Sequence, residues 1–369
     1  MEKIKSGGKL KVIAITGSYG KTSTKEFLST ILSQKFKILE TKEHQNSEIG
    51  VANCILNELD SDYDIFIAEI GAYNKGKVKE VCSIIKPEIG IVTGVNEQHL
   101  ALFGSLDNLL SAEGGRELSE SLPKKGTLIV NGDNKYCLEL YKKEKIERPN
   151  NQKIYSLSNK VIDSDIWSDD IVVYKNYISF IVTDKTREMM HFDVKVLGKH
   201  NVQNLLGAIL VAKKLGMNFG EIAKACQNIS QEQGGMTLRR GKHDIDIIDS
   251  SYSSNPDGVF ADLDYFSLFE GKKVIVMPCL IELGKKSSEI HKKIGEKIGK
   301  ICDLAIITSK EKFNELRAGA INSGMLDKNI ILCDNPNDIN SIITIFCKSG
   351  DAVLLEGRVP TKLISLLKL

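Results

Sequence analysis

The segment Val12-Ile13-Ala14-Ile15-Thr16-Gly17-Ser18-Tyr19-Gly20-Lys21-Thr22-Ser23 constrains this chain more than any other. A run of apolar, mostly β-branched residues stops at a glycine-flanked turn. Phe27, Leu28, Ile31 and Leu32 then recur with helical spacing. The pattern predicts a buried strand, a tight loop and a helix N-terminus. Gly17 and Gly20 let the backbone approach an anion so that successive N–H groups face it. The helix end adds partial positive charge at the same place. Lys21 can reach the outer phosphates of a nucleotide, and the Thr22 hydroxyl can ligate Mg²⁺. Ser18, Tyr19 and Ser23 complete the lining. The loop lacks the first glycine of the G-x-x-x-x-G-K-[ST] pattern and is a shortened form of it.

Around this segment, apolar runs at 11–16, 36–41, 63–70, 89–95 and 127–131 alternate with helical patterns. Such alternation implies a parallel sheet wrapped by helices, with ligands at the carboxyl ends of the strands. Gly17, Glu69 and the stretch 96–99 fall at such ends. From about 145 to 197 short alternating segments read as a small antiparallel insert. A strand is expected at 192–197, and residues 201–215 read as a helix. The polar, glycine-rich stretch 231–235 marks a boundary. A second α/β block follows, with strands at 246–249, 273–277, 304–308, 329–333 and 352–356. The expected organisation is a central phosphate-binding domain over 1–233 and a Rossmann-like α/β domain over 236–369.

The formal net charge of +2 argues against an electrostatically driven nucleic-acid binder. The eight cysteines form no C-x-x-C pair, and several sit inside apolar runs, as expected of reduced thiols in the cytoplasm. The N-terminus is polar and basic without an apolar core, so no signal peptide is read there. No apolar run approaches the roughly 20 residues of a membrane span.

Several separated motifs together resemble the Mur ligases, the ATP-dependent amide ligases of cell-wall peptide assembly. They are residues 16–26, Asn46-Ser-Glu-Ile-Gly50, Ala68-Glu69-Ile-Gly71 and His99-Leu-Ala-Leu-Phe-Gly104-Ser. Gly198-Lys-His200-Asn201-Val-Gln-Asn204, Asp249-Ser-Ser-Tyr252-Ser-Ser-Asn255-Pro256 and Ile281-Glu-Leu-Gly284 follow in the family's order. The resemblance covers essentially the whole chain and is greatest to the branch that adds D-alanyl-D-alanine to a UDP-N-acetylmuramoyl peptide. It implies ATP and Mg²⁺ as cofactors, an acyl-phosphate intermediate, and a C-terminal domain that closes over a central ATPase domain. Members of the family begin with a UDP-sugar-binding domain ahead of the phosphate loop. Here the loop strand starts near residue 10, so either the chain is shortened or the acceptor is held differently.

The resemblance also implies roles. Lys21 and the loop amides would stabilise the transferring phosphoryl group. Glu69 would share a Mg²⁺ with Thr22, and His99 would ligate a second metal. Asn201 and Asn204 would present amides to the nucleotide base, with Asp249 and Tyr252 also on the nucleotide. Asn46, Asn255 and Arg358 would face the substrates. The family carries a carbamylated lysine in an Ala-Lys-x-Glu setting. Counting from Gly104-Ser105 puts Glu113 there; counting back from Leu122-Pro123 puts Gly115 there. In the first register Glu113 would supply the carboxylate-like anion without a CO₂ adduct. The alternative is a helix-surface acid on a segment that has lost the metal function. An ATP-reaching arginine of the family falls at Gly235, with Arg239 and Arg240 out of register. The family's second aspartate in the Asp249 motif is Ser250 here.

The expected substrates are thus a UDP-muramoyl peptide and D-alanyl-D-alanine, handled by a cytoplasmic monomer. Two other readings stay open. One is a related ligase of the folylpolyglutamate, cyanophycin or amidating type. The other is a nucleotide-binding scaffold without turnover.

Overall fold

In the computed structural model the described residues are 10–42, 45–97, 99–147, 151–158, 163–252 and 255–367. They group into two units. The first comprises residues up to 172, 178–195 and 200–229; the second comprises 173–177, 196–199 and 230 onward.

The first unit opens with β1 (Lys11–Thr16), α1 (Lys21–Leu32), β2 (Ile38–Glu40), α2 (Glu48–Glu58), β3 (Ile65–Glu69), α3 (Lys77–Ile85) and β4 (Ile89–Val92). The short helices α4 (Leu100–Phe103), α5 (Leu106–Ala112) and α6 (Arg116–Ser121) follow. Then come β5 (Thr127–Asn131), α7 (Lys135–Glu147), β6 (Gln152–Ser156), β7 (Ile166–Val173), β8 (Ile178–Asp184), β9 (Met189–Val194), α8 (His200–Lys214) and α9 (Phe219–Cys226). The nine strands lie in the order β2-β3-β1-β4-β5-β6-β7-β8-β9. β1 pairs in parallel with β3 on one side and β4 on the other, so the strand order reverses there. Open α/β sheets bind ligands at this kind of switch point. Alternation along β1 serves both faces. Val12 and Ala14 join the core formed with Val51, Val81 and Cys82, and the equally buried Ile13 and Ile15 point the other way.

Two expectations change. The strands read as a small antiparallel insert continue this sheet, and β6 pairs in parallel with both β5 and β7. β8 pairs antiparallel with β9. The strand expected at 192–197 lies at 189–194, because Phe192 and Val194 alternate inward with exposed Met189, His191 and Asp193 between them.

The second unit contains β10 (Thr237–Arg240), β11 (Asp246–Ser250), α10 (Pro256–Phe266), β12 (Lys273–Met277), α11 (Ser287–Ile301), β13 (Leu304–Ile307), α12 (Phe313–Asn322), β14 (Ile330–Leu332), α13 (Pro336–Phe346), β15 (Ala352–Glu356) and α14 (Thr361–Leu367). The order is β10-β11-β15-β12-β13-β14, all parallel except the edge strand β10. Ile248, Ile275 and Leu354 face one core; Ile247, Val274 and Val353 face the other. Both faces are therefore covered, as parallel sheets require.

Candidate active site

The phosphate loop sits at the carboxyl end of β1 and is braced from β4 and β5. Ser18 N donates to Gly94 O at 2.7 Å. Thr93 Oγ1 donates to Tyr19 O at 2.5 Å, and Asn131 Nδ2 holds Thr93 O at 2.9 Å. The Tyr19 ring lies on Gly94, where a side chain would collide with it. Asn134 Nδ2 ties the Tyr19 hydroxyl (3.2 Å) to Val95 O (2.8 Å). Gly20 has φ +74°, a left-handed conformation that favours glycine. No side chain caps α1, and its first turn carries no acid. Its leading N–H groups are therefore left for an external anion. Lys21 Nζ bends back to Gly17 O at 2.7 Å, over the loop it would share with a phosphate. Thr22 and Ser23 are half-buried in that first turn.

Glu69 ends β3, in register with Ile15 of β1. It is 6% exposed. Its Oε1 accepts from Asn46 Nδ2 at 3.0 Å, and its backbone N donates to Thr41 Oγ1 at 3.0 Å. Asn46, expected to face substrate, thus touches this carboxylate.

Glu113 and His99 meet. Glu113 Oε1 lies 2.9 Å from His99 Nδ1, and its Oε2 accepts from Ser18 Oγ at 2.6 Å. The Glu113 side chain is 3% exposed, so it is no helix-surface acid. The local backbone explains this. α5 ends at Ala112, Glu113 is its C-cap, and Gly115 starts α6 with φ +82°. The paired glycines break the helix just past Glu113, and a Cβ on Gly115 would sit 2.3 Å from Val92 Cγ2. The Glu117 carboxylate, also buried, accepts from Gly76 N, Lys79 N and Ser111 Oγ. It caps α3.

Asn201 and Asn204 share a face, but not an open one. Asn201 is fully buried and accepts from Asn204 Nδ2 at 3.0 Å. Asn204 Oδ1 lies against Gly20, where a Cβ would be 2.5 Å away. Asn204 packs on the phosphate loop, and Asn201 lies behind it.

In the second unit, the candidate residues gather at the carboxyl ends of β11 and β15. Ser250 pairs with Glu356 in register, and Gly357 N donates to Ser250 O at 3.1 Å. Asp249 Oδ1 accepts from Ser251 N, and Tyr252 is 48% exposed. Ser253 and Ser254 lie outside the described residues. Asn255 N-caps α10, accepting from Gly258 N at 3.0 Å. Arg358 is exposed just past β15. Ser250 Oγ binds the buried Asp262. Gly235 ends a short 3₁₀ turn with φ +81°. Arg240 pairs with Asp244 and Asp246, and Arg239 lies 3.5 Å from Glu232.

Sequence reasoning missed Thr93, Asn131 and Asn134, which brace the loop. The signal for Thr93 and Asn131 is a polar residue directly after an apolar run. It also missed Lys25, a lysine spaced with Leu28 and Leu32 on the buried face of α1.

The donors suit a hard cation. Glu69, Glu113 and the Thr22 hydroxyl offer oxygen, which Mg²⁺ prefers. Among the described residues no three His, Cys, Asp or Glu side chains form a metal cage. Mg²⁺ bound with phosphates uses one or two carboxylates and keeps waters, so no such cage is required.

Residues 15–212, more than half the chain, match the family model described as the Mur ligase middle domain. Residues 235–359 match that of the Mur ligase, glutamate ligase domain. The UDP-N-acetylmuramoyl-tripeptide–D-alanyl-D-alanine ligase of Escherichia coli (strain K12) is 28% identical over 355 residues, covering 95% of this chain and 76% of the relative. That of Borreliella burgdorferi is 33% identical over 287 residues, covering 76% of this chain and 58% of the relative. The chain therefore spans between about three fifths and three quarters of these relatives. A crystal structure of MurF from Acinetobacter baumannii superposes with TM-score 0.84 at 23% identity, covering 99% of this chain and 77% of that one. The MurF ligase of Thermotoga maritima in complex with ADP gives 0.83 at 22%, covering 99% and 81%. At these identities the structural likeness speaks to the fold.

Proposed function

Because the chain belongs to the Mur ligase family, we propose that it is an ATP-dependent carboxylate–amine ligase that joins D-alanyl-D-alanine to a UDP-N-acetylmuramoyl tripeptide. The names of its relatives support the substrates. The observation that carries the reading is the uncapped start of α1, with Lys21 on it and Glu69 at the neighbouring strand end. We read residues 1–233 as the ATP-binding domain and 236–369 as the domain serving the incoming amine, with Asp249, Tyr252, Asn255 and Arg358 on its ligand side.

An acceptor carboxylate oxygen attacks the γ-phosphorus of ATP, ADP leaves, and an acyl phosphate forms. The amine nitrogen then attacks the carbonyl carbon, loses a proton and expels inorganic phosphate. Lys21 and the loop N–H groups offset charge on the transferring phosphoryl group. Mg²⁺, when bound, supplies further charge neutralisation on the phosphoryl oxygens. Thr22, Glu69, His99 and Glu113 are the residues that would hold it. Glu113 takes the place of the family's carbamylated lysine, anchored by Ser18.

Gly235, standing where the family has an ATP-reaching arginine, favours a second reading: a nucleotide-binding subunit without turnover. ADP release from the purified chain separates the two. The ligase reading expects sustained ADP production only with ATP, UDP-muramoyl tripeptide and D-alanyl-D-alanine all present. Nucleotide binding with no ADP release under those conditions would support the subunit.

A further inference from the structure

Lys25 follows Lys21 by one helical turn on α1, and its side chain is wholly buried. A buried ammonium is costly unless charge and hydrogen bonds compensate it. Three groups do. Its Nζ donates to Thr41 O at 2.6 Å and lies 3.3 Å from Glu26 Oε1 and 4.0 Å from Glu69 Oε2. Thr41 is shared, since its hydroxyl accepts from the Glu69 backbone N. Asn46 holds the other Glu69 oxygen. One helix thus carries a lysine at the phosphate loop and a second lysine beneath the carboxylate at the adjacent strand end.

We infer that Lys25 is a positioning residue, orienting the Glu69 carboxylate so that Mg²⁺ binds together with the nucleotide. The inference rests on the reading of Glu69 as a Mg²⁺ ligand. Partners of metal ligands fix ligand orientation, and their loss weakens metal binding by about 10- to 100-fold. The competing account is structural: Lys25 only neutralises Glu26, and Glu69 is a bystander.

The test measures ADP affinity of the full chain, without Mg²⁺ and across a Mg²⁺ titration. In Lys25→Met the Mg²⁺ concentration giving half the effect should rise about tenfold or more, with Mg²⁺-free ADP affinity unchanged. Lys25→Met/Glu26→Gln, which removes the charge left behind, should behave the same way. Glu69→Gln should lower the Mg²⁺ response, and adding Lys25→Met in that background should change nothing further. This last pair stays informative even where Lys25→Met alone fails to fold. Recovery of the parental Mg²⁺ response in Lys25→Met/Glu26→Gln would overturn the inference. So would an equal loss of Mg²⁺-free ADP affinity, or an additive loss in the Glu69→Gln background. A parental chain that binds ADP without responding to Mg²⁺, or a Glu69→Gln chain with a full response, would instead remove the Glu69 reading and the inference with it.

Discussion

Glu113 accepts a hydroxyl hydrogen from Ser18 on one oxygen and lies against His99 Nδ1 with the other. An amide at that position keeps one acceptor atom but turns the other into a donor and removes the negative charge. Glu113→Gln should lower kcat by about tenfold or more, the scale of losing a partner that orients a metal-site ligand. The parental rate should not change with bicarbonate, since this carboxylate needs no CO₂. Steady-state assays with and without bicarbonate check both points. Glu40 gives a pH signature. Burial and the nearby Glu26 push its carboxyl up to about 7 from 4.5. The folded state then holds a proton that the unfolded chain releases. That contribution is complete below about pH 4.5 and is lost as pH rises through about 7. Thermal melts should show Glu40→Gln gaining stability over the parent at pH 8 and losing the difference near pH 4.5. Of these residues, Glu113 was legible only as one of two registers, because spacing cannot tell where a helix breaks. The buried surroundings of Glu40 were not legible, because they come from chain segments distant in sequence.

At the scale of elements, the apolar runs located nearly every strand of both sheets, with ends moving by a few residues. Continuous hydrophobic runs are a strong signal when both faces of a strand are buried. β7, β8 and β9 were harder. Their alternation is that of half-exposed strands, which says how a strand is faced and not which sheet it joins. β10 was missed because Thr237–Arg240 is short, polar and at a sheet edge. The packing of α11 on α12 was not visible either, though its cause is written in Gly295, Gly299 and Gly319. A Cβ on Gly319 would lie 2.1 Å from Lys292 O, and one on Gly295 2.1 Å from Leu316 O. The obstacle is backbone, so it cannot swing aside. Gly319→Ala should destabilise the chain by about 1–3 kcal/mol despite alanine's better helix propensity. Urea unfolding followed by circular dichroism would check this; a midpoint at or above the parent's would mean that the helices separate freely.

At the scale of the whole molecule, each of the two α/β units places its candidate residues at the carboxyl ends of parallel strands. In the first these are the loop after β1, Glu69 at the end of β3, and Thr93 and His99 after β4. In the second they are Asp249 near the end of β11, Tyr252 and Asn255 after it, and Arg358 after β15. The phosphate loop and the ordered series of motifs were enough to read family and fold from the sequence. The acceptor was not readable in the same way, because the motifs of this chain fall in the family's middle and C-terminal domains, which hold the nucleotide loop rather than the UDP-sugar. The central claim is that an acceptor carboxylate, not water, takes the γ-phosphoryl group. The direct measurement uses UDP-muramoyl tripeptide labelled with ¹⁸O in its terminal carboxylate, together with ATP and D-alanyl-D-alanine. The ligase account predicts that each phosphate released carries one oxygen from that carboxylate. Phosphate carrying only oxygen from ATP and solvent would contradict it.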